Sequence, residues 1–186
     1  MESQNGAFYA VWLKEAGLLS GETVAGNFCF SPEKAVTRGE FLAMTMKLLG
    51  AEPASATLST GVADENAAPA WMKPYLVSAL QHGMITGVSS SAGVVFRPTL
   101  AVTRAEAAVM LQNILNLPGS EESPVFSAET SVPAWALTSW NALQCAGISL
   151  DDANSAKVLT RLEAAELLYQ VADLLKKNES ITFPWE

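Results

Sequence analysis

The chain has 186 residues, 49% hydrophobic and 16% charged, so it can build a core of ordinary domain size and is not composed like a disordered chain. Its 11 Lys and Arg against 19 Asp and Glu give a formal net charge of −8, and the basic residues are scattered, which speaks against nucleic acid as a partner. No apolar stretch approaches the roughly 20 residues that span a bilayer, so membrane insertion is not expected, and "MESQNGAFYA" lacks the basic-then-apolar order of a secretory leader.

In chain order, the first helical run, through "WLKEAG", stops at Gly17, where a left-handed C-terminal cap is expected. A loop containing Phe30-Ser31-Pro32 leads to Thr37-Arg38-Gly39-Glu40. Thr-x-x-Glu ahead of an apolar run predicts a capping box: the threonine hydroxyl accepts from the third helical N–H, and the glutamate reaches back. Phe41, Met44, Thr45, Leu48 and Ala51 then fall on one helical stripe. A connection rich in Ser, Thr, Ala and Pro, 51–67, follows.

The plan then repeats. Pro69-Ala70-Trp71 opens a helix that Gly83 ends; Phe96-Arg97-Pro98 precedes Thr103-Arg104-Ala105-Glu106, and the stripe is Ala107, Met110, Leu111, Ile114 and Leu117. After a second linker, 118–131, come Pro133-Ala134-Trp135, Gly147, Thr160-Arg161-Leu162-Glu163 and the stripe Ala164, Leu167, Leu168, Val171 and Leu174. Twenty residues separate Gly17 from Thr37 and Gly83 from Thr103, but 13 separate Gly147 from Thr160, so the third loop is short and has no Phe-x-Pro. The first copy opens without a tryptophan. The units are 1–52 (its opening incomplete), 64–118 and 126–177. They are expected to stack as one compact domain with their second helices around a shared axis, since a lone helix pair buries too little.

An arginine opens each second helix, against a dipole that is positive at that end. For one such residue an ion pair with a nearby acid, such as Glu65 or Glu129, is the ordinary explanation. Three in one place suggest a contact site for a carboxylate or phosphate, made of a forked guanidinium and the open N–H groups of a helix tip. Trp71 and Trp135 are by default core residues, since large aromatics are mostly buried. Cys145 lies in an apolar run and reads as a buried side chain, with a Cys29–Cys145 disulfide left open. Ser31-x-x-Lys34 lacks the partner motifs of a nucleophile, the acidic run from Asp152 lacks the glycine of a calcium loop, and His82 has no ligating neighbour. No enzyme activity, metal or cofactor is expected.

The order of Trp-helix, Gly, Phe-x-Pro, [Val/Leu]-Thr-Arg-x-Glu and apolar helix, spread over about residues 5–177, resembles the S-layer homology (SLH) motif, most specifically in "VVFRPTLAVTRAEAAVMLQNIL". The resemblance implies an all-α, pseudo-threefold spindle with a central three-helix bundle and three helical prongs. It implies a non-catalytic, monomeric module of a larger bacterial surface protein, outside the cell. Grooves between prongs would bind secondary cell-wall polysaccharide or a peptidoglycan-linked glycan, often pyruvylated. Carried over, Arg38, Arg104 and Arg161 line the grooves, with Trp71 and Trp135 near the prongs. Gly39 and Leu162 stand where the family has Ala, and the third copy is the weakest match, so Arg104 ranks first among the three, Arg38 second and Arg161 third. The alternative reading is a protein-interaction scaffold that keeps the fold without binding glycan.

Overall fold

The computed structural model describes residues 2–18, 22–24, 27–55, 58–119, 131–150 and 154–177. Among them are six α-helices: α1 (Glu2–Glu15), α2 (Arg38–Leu48), α3 (Lys73–Gln81), α4 (Arg104–Ile114), α5 (Ala134–Cys145) and α6 (Arg161–Lys177). The first copy therefore has a first helix of its own in α1. Gly17, Gly83 and Gly147 follow α1, α3 and α5 with φ of 67°, 67° and 82°. Each belongs to a Schellman motif, in which the next residue's N–H reaches five residues back: Leu18 to Leu13, Met84 to Ala79 and Ile148 to Leu143, all at 2.9 Å. A side chain at that φ would be strained, which is why glycine stands there.

The second helices start as the sequence requires. Thr37 and Thr103 are extended N-caps with complete capping boxes. The third box is equally formed: Thr160 N–H donates to Glu163 Oε2 at 2.9 Å, and Glu163 N–H to Thr160 Oγ1 at 3.2 Å. Each is worth about 1 kcal/mol to its helix. The expected stripes face inward: Phe41, Thr45, Ala107, Met110, Leu111, Ile114, Ala164, Leu167, Leu168 and Val171 are buried in one core with Trp140, Phe96 and Leu143. Thr45, the polar member, satisfies its hydroxyl by donating to Phe41 O at 2.8 Å.

The copies are interlocked. α2 packs against α4 and α6, while each first helix lies on a different copy's second helix: α1 on α6, α3 on α2 and α5 on α4. Ahead of the caps, three backbone bonds close a circle: Val36 N–H to Leu159 O at 3.0 Å, Leu159 N–H to Val102 O at 2.9 Å and Val102 N–H to Val36 O at 3.0 Å. No copy can complete this ring without the other two, and each first helix is covered by another copy's second helix.

Three expectations need correction. The fold is mostly helical but not all-α, because hairpins β1–β2 (Glu22–Val24, Asn27–Cys29) and β3–β4 (Val88–Ser90, Gly93–Val95) fill the loops of copies 1 and 2. In the second, β-branched Val88, Val94 and Val95 suit strands, and Gly93 at φ 112° supplies the tight return. The short third loop has no strand among its described residues. Cys145 is exposed near the end of α5, and it and Cys29 are thiols, not a disulfide. Trp71 sits in the turn before α3, not inside the helix. The tail aromatics Phe183 and Trp185, the residue Glu129 and the start of the acidic run at Asp152 lie outside the described residues.

Candidate functional site

The arginines at the wrong end of their helices are joints between copies. Arg38 Nε donates to Phe96 O at 2.9 Å, its Nη1 pairs with Glu106 at 2.9 Å, and its guanidinium lies over the Phe96 ring, 4.8 Å from the centroid. Arg104 repeats this one copy on: Nη1 to Asn154 O at 3.3 Å and Nη2 to Glu163 at 2.7 Å. Arg161 closes the circle with Nη1 to Phe30 O at 3.0 Å. For Arg38 and Arg104 the acidic partners are thus the capping-box glutamates of the next copy, not Glu65, whose carboxylate is taken by Ser59 and Thr60. Glu106 and Glu163 each give one oxygen to their own cap and the other to a neighbour's arginine.

The helix tips are not open anion sites either. The first two N–H groups of α2 donate to Leu100 O and Pro98 O, those of α4 to Lys157 O and Ser155 O, and those of α6 to Lys34 O and Pro32 O. The third goes to the capping threonine. Carbonyls of a neighbouring turn therefore neutralise each tip, which removes the electrostatic objection to an arginine there. This is the task of Phe-x-Pro: Ser31 and Arg97 take φ of 50° and 59°, which folds the turn so that its carbonyls face the next helix. Asp64 holds the second turn by accepting from Phe96 N–H and Arg97 N–H at 2.9 and 2.7 Å. The third copy reaches the same result without the motif, since Asn154 and Ser155 present the equivalent carbonyls and Ser131 accepts twice from Ser155, from its N–H at 2.9 Å and from its hydroxyl at 2.6 Å. Gly39 is explained by the same crowding, because a Cβ there would run into Met72 Sδ and approach Pro98 O.

Burial alone would raise the Glu163 carboxyl. The Thr160 N–H, the Lys157 ammonium and the Arg104 guanidinium outweigh it and bring it down to about 2. Glu166, one turn on, is moved the other way, first by burial and then by Glu163.

Beside these joints an open cleft of about 200 Å³ lies where all three copies meet. Gly17 and Leu18 from the end of α1, Glu40, Met44 and Lys47 from α2, Trp71 and Tyr75 from copy 2 and Arg161 from copy 3 are among its walls. Arg161, ranked last on sequence, is the arginine among its lining residues, although it is as buried as Arg104, at 8% against 6%; Arg38 and Arg104 are not among the lining residues. Trp71 is 50% exposed and Trp135 62%, so neither is a core residue. Tryptophan leaves a large apolar face in water only at some expense, and Trp71 spends it on a cleft that also contains cations. Lys47 and Tyr75 were not singled out by the motif. The available signal was a difference between copies: Lys47 is matched by Asn113 and Gln170 at the same helical position, and Tyr75 by Ser139 and Tyr9.

No family model matches the chain, and no curated protein matches it in sequence. Among the described residues no cluster of His, Cys, Asp and Glu could hold a metal ion, and no helix is long and apolar enough to cross a membrane.

Proposed function

We propose that this chain is a glycan-binding anchor module of the SLH type, and that its working groove is the cleft bounded by Trp71, Tyr75, Lys47 and Arg161. The observation that carries this reading is the half-exposed Trp71 in a concave site with cationic groups: a flat aromatic face stacks on the C–H face of a sugar ring, while guanidinium and ammonium groups suit an acidic substituent. The closed hydrogen-bond ring and the packing of α2 on α4 and α6 support the finer architecture, a pseudo-threefold spindle with a central three-helix bundle. On this reading the ligand is a secondary cell-wall polysaccharide carrying pyruvyl carboxylates, and the module works at the bacterial surface without catalysis. Arg38 and Arg104 hold the copies together and do not touch the ligand.

Co-sedimentation with purified bacterial cell-wall material tests the reading. The unaltered chain is expected in the pellet and Trp71→Ala in the supernatant. Retention of Trp71→Ala, or no sedimentation of the unaltered chain, contradicts it. A second reading, a scaffold for protein contacts, is favoured by α1, on which Phe8 and Val11 are exposed and which borders a mostly apolar hollow lined by Ala7, Ala10, Phe30, Pro32, Leu162 and one acid, Glu33. Crosslinking to a protein partner through α1, with no pelleting on cell wall, selects it.

A further inference from the structure

The three copies place equivalent residues around three equivalent joints, so each joint can be compared position by position. Where the first cleft has Trp71, Tyr75, Ala43 and Lys47, the joint of copies 2 and 3 has Trp135, Ser139, Val109 and Asn113. The joint that returns to copy 1 has Tyr9, Glu166 and Gln170, and the sequence has no tryptophan at the position equivalent to Trp71. Only the first set therefore carries both the tryptophan and a cation at the helical position of Lys47. In the last set the small Ala43 is replaced by a carboxylate, Glu166, in addition to the capping glutamate, Glu163, whose counterpart Glu40 lines the first cleft. Gln170 there is already bonded to Ser149 through both its amide oxygen and its amide nitrogen, at 2.7 and 3.3 Å.

Lys47 is differently committed. Its ammonium donates to the carbonyl of Gly17 at 2.5 Å, a neutral partner, and among the described residues it forms no ion pair. An ammonium has three donors, so that bond fixes the head group at the rim of the cleft and leaves donors for a ligand. The arginines are placed otherwise: Arg38 and Arg104 have given their charge to Glu106 and Glu163, and Arg161 is engaged at Phe30 O. In a chain of net charge −8, long-range attraction for an anion is absent, so discrimination must come from a cation in direct contact.

We infer that Lys47, and not the repeated arginines, is the residue that recognises the carboxylate of the sugar, and that the chain has one acidic-sugar site, in the Trp71 cleft. Trp71 and Tyr75 bind the ring whatever its charge; Lys47 sets the preference for the charged sugar. The assignment rests on the glycan-binding reading above.

Calorimetric titration with a pyruvylated disaccharide, and with the same disaccharide after hydrolysis of the ketal, tests it. The unaltered chain is expected to bind the charged sugar at one site, about tenfold more tightly than the neutral one, the gain of one charge-assisted hydrogen bond. Lys47→Gln is expected to weaken the charged sugar about tenfold and so erase that gap, and Lys47→Arg to retain it. Lys47 is exposed, so both variants are expected to fold, with thermal melting as the check. A gap that survives Lys47→Gln, equal affinity of the unaltered chain for both sugars, or three equal sites overturns the assignment while leaving the glycan-binding reading standing. Binding of neither sugar by the unaltered chain overturns both.

Discussion

Arg104 and Arg161 occupy the same position in two copies of one motif and do different work. Arg104 is enclosed by the third copy, with its guanidinium on Glu163 and on the carbonyl of Asn154. Arg161 is as buried and also holds a neighbour's carbonyl, that of Phe30, but it is among the residues lining the open cleft that Trp71 also lines. A repeated residue is thus first a repeated joint. Which joint can double as a binding site depends on what surrounds it, and those surroundings differ between copies where the motif does not.

The largest way to break the comparison is at the closed joint. Arg104→Ala leaves Glu163 half-buried beside Glu166 and strips a carbonyl of its donor, and a loss of about 2–3 kcal/mol in urea unfolding is expected. Trp71→Ala, on the open side, is expected to change stability by no more than about 0.5 kcal/mol while removing cell-wall binding. Equal losses from the two would mean that the closed and open joints are not distinct.

Next comes pH. The Glu163 carboxyl is depressed in the folded chain to about 2, against an ordinary value near 4.5. A depressed acid stabilises the fold fully above its unfolded value, and that contribution is lost as pH falls through the folded one. The stability gap between the unaltered chain and Glu163→Gln should therefore be constant above about pH 4.5 and close towards pH 2. Unfolding curves at stepped pH read it; a gap that stays constant down to pH 2 contradicts the joint. Smaller still, Thr103→Ala should lower stability by about 1 kcal/mol through loss of one cap, with no effect on cell-wall binding.

Local rules made much of the fold legible. Capping boxes, glycine stops and apolar stripes are short-range signals, and Thr37, Gly83 and Leu111 sit where those rules put them. The hairpins were harder, because three-residue strands such as Val88–Ser90 are too short for a period of two to register. The joints were harder again. Arg38 reaches Phe96 and Glu106, and Arg161 reaches Phe30, 131 residues away, so no local pattern names the partner. For that reason the helix tip read as an open anion site, when its N–H groups were already taken by another copy's turn. The cleft's tryptophan was visible as a residue and not as a surface, since burial is decided by neighbours that the repeat alone does not identify.

The five tryptophans offer the most direct reading of the central claim, that ligand enters the Trp71 cleft while the arginine joints stay closed. In a two-dimensional ¹H–¹⁵N NMR titration with a pyruvylated disaccharide, each indole N–H is a separate signal. The signal of Trp71 is expected to move in proportion to occupancy, together with the backbone of Tyr75 and Lys47, while the buried Trp140 and the backbone around Arg104 and Asn154 stay still. Shifts centred on Arg104 and Asn154, with Trp71 unmoved, would contradict the account.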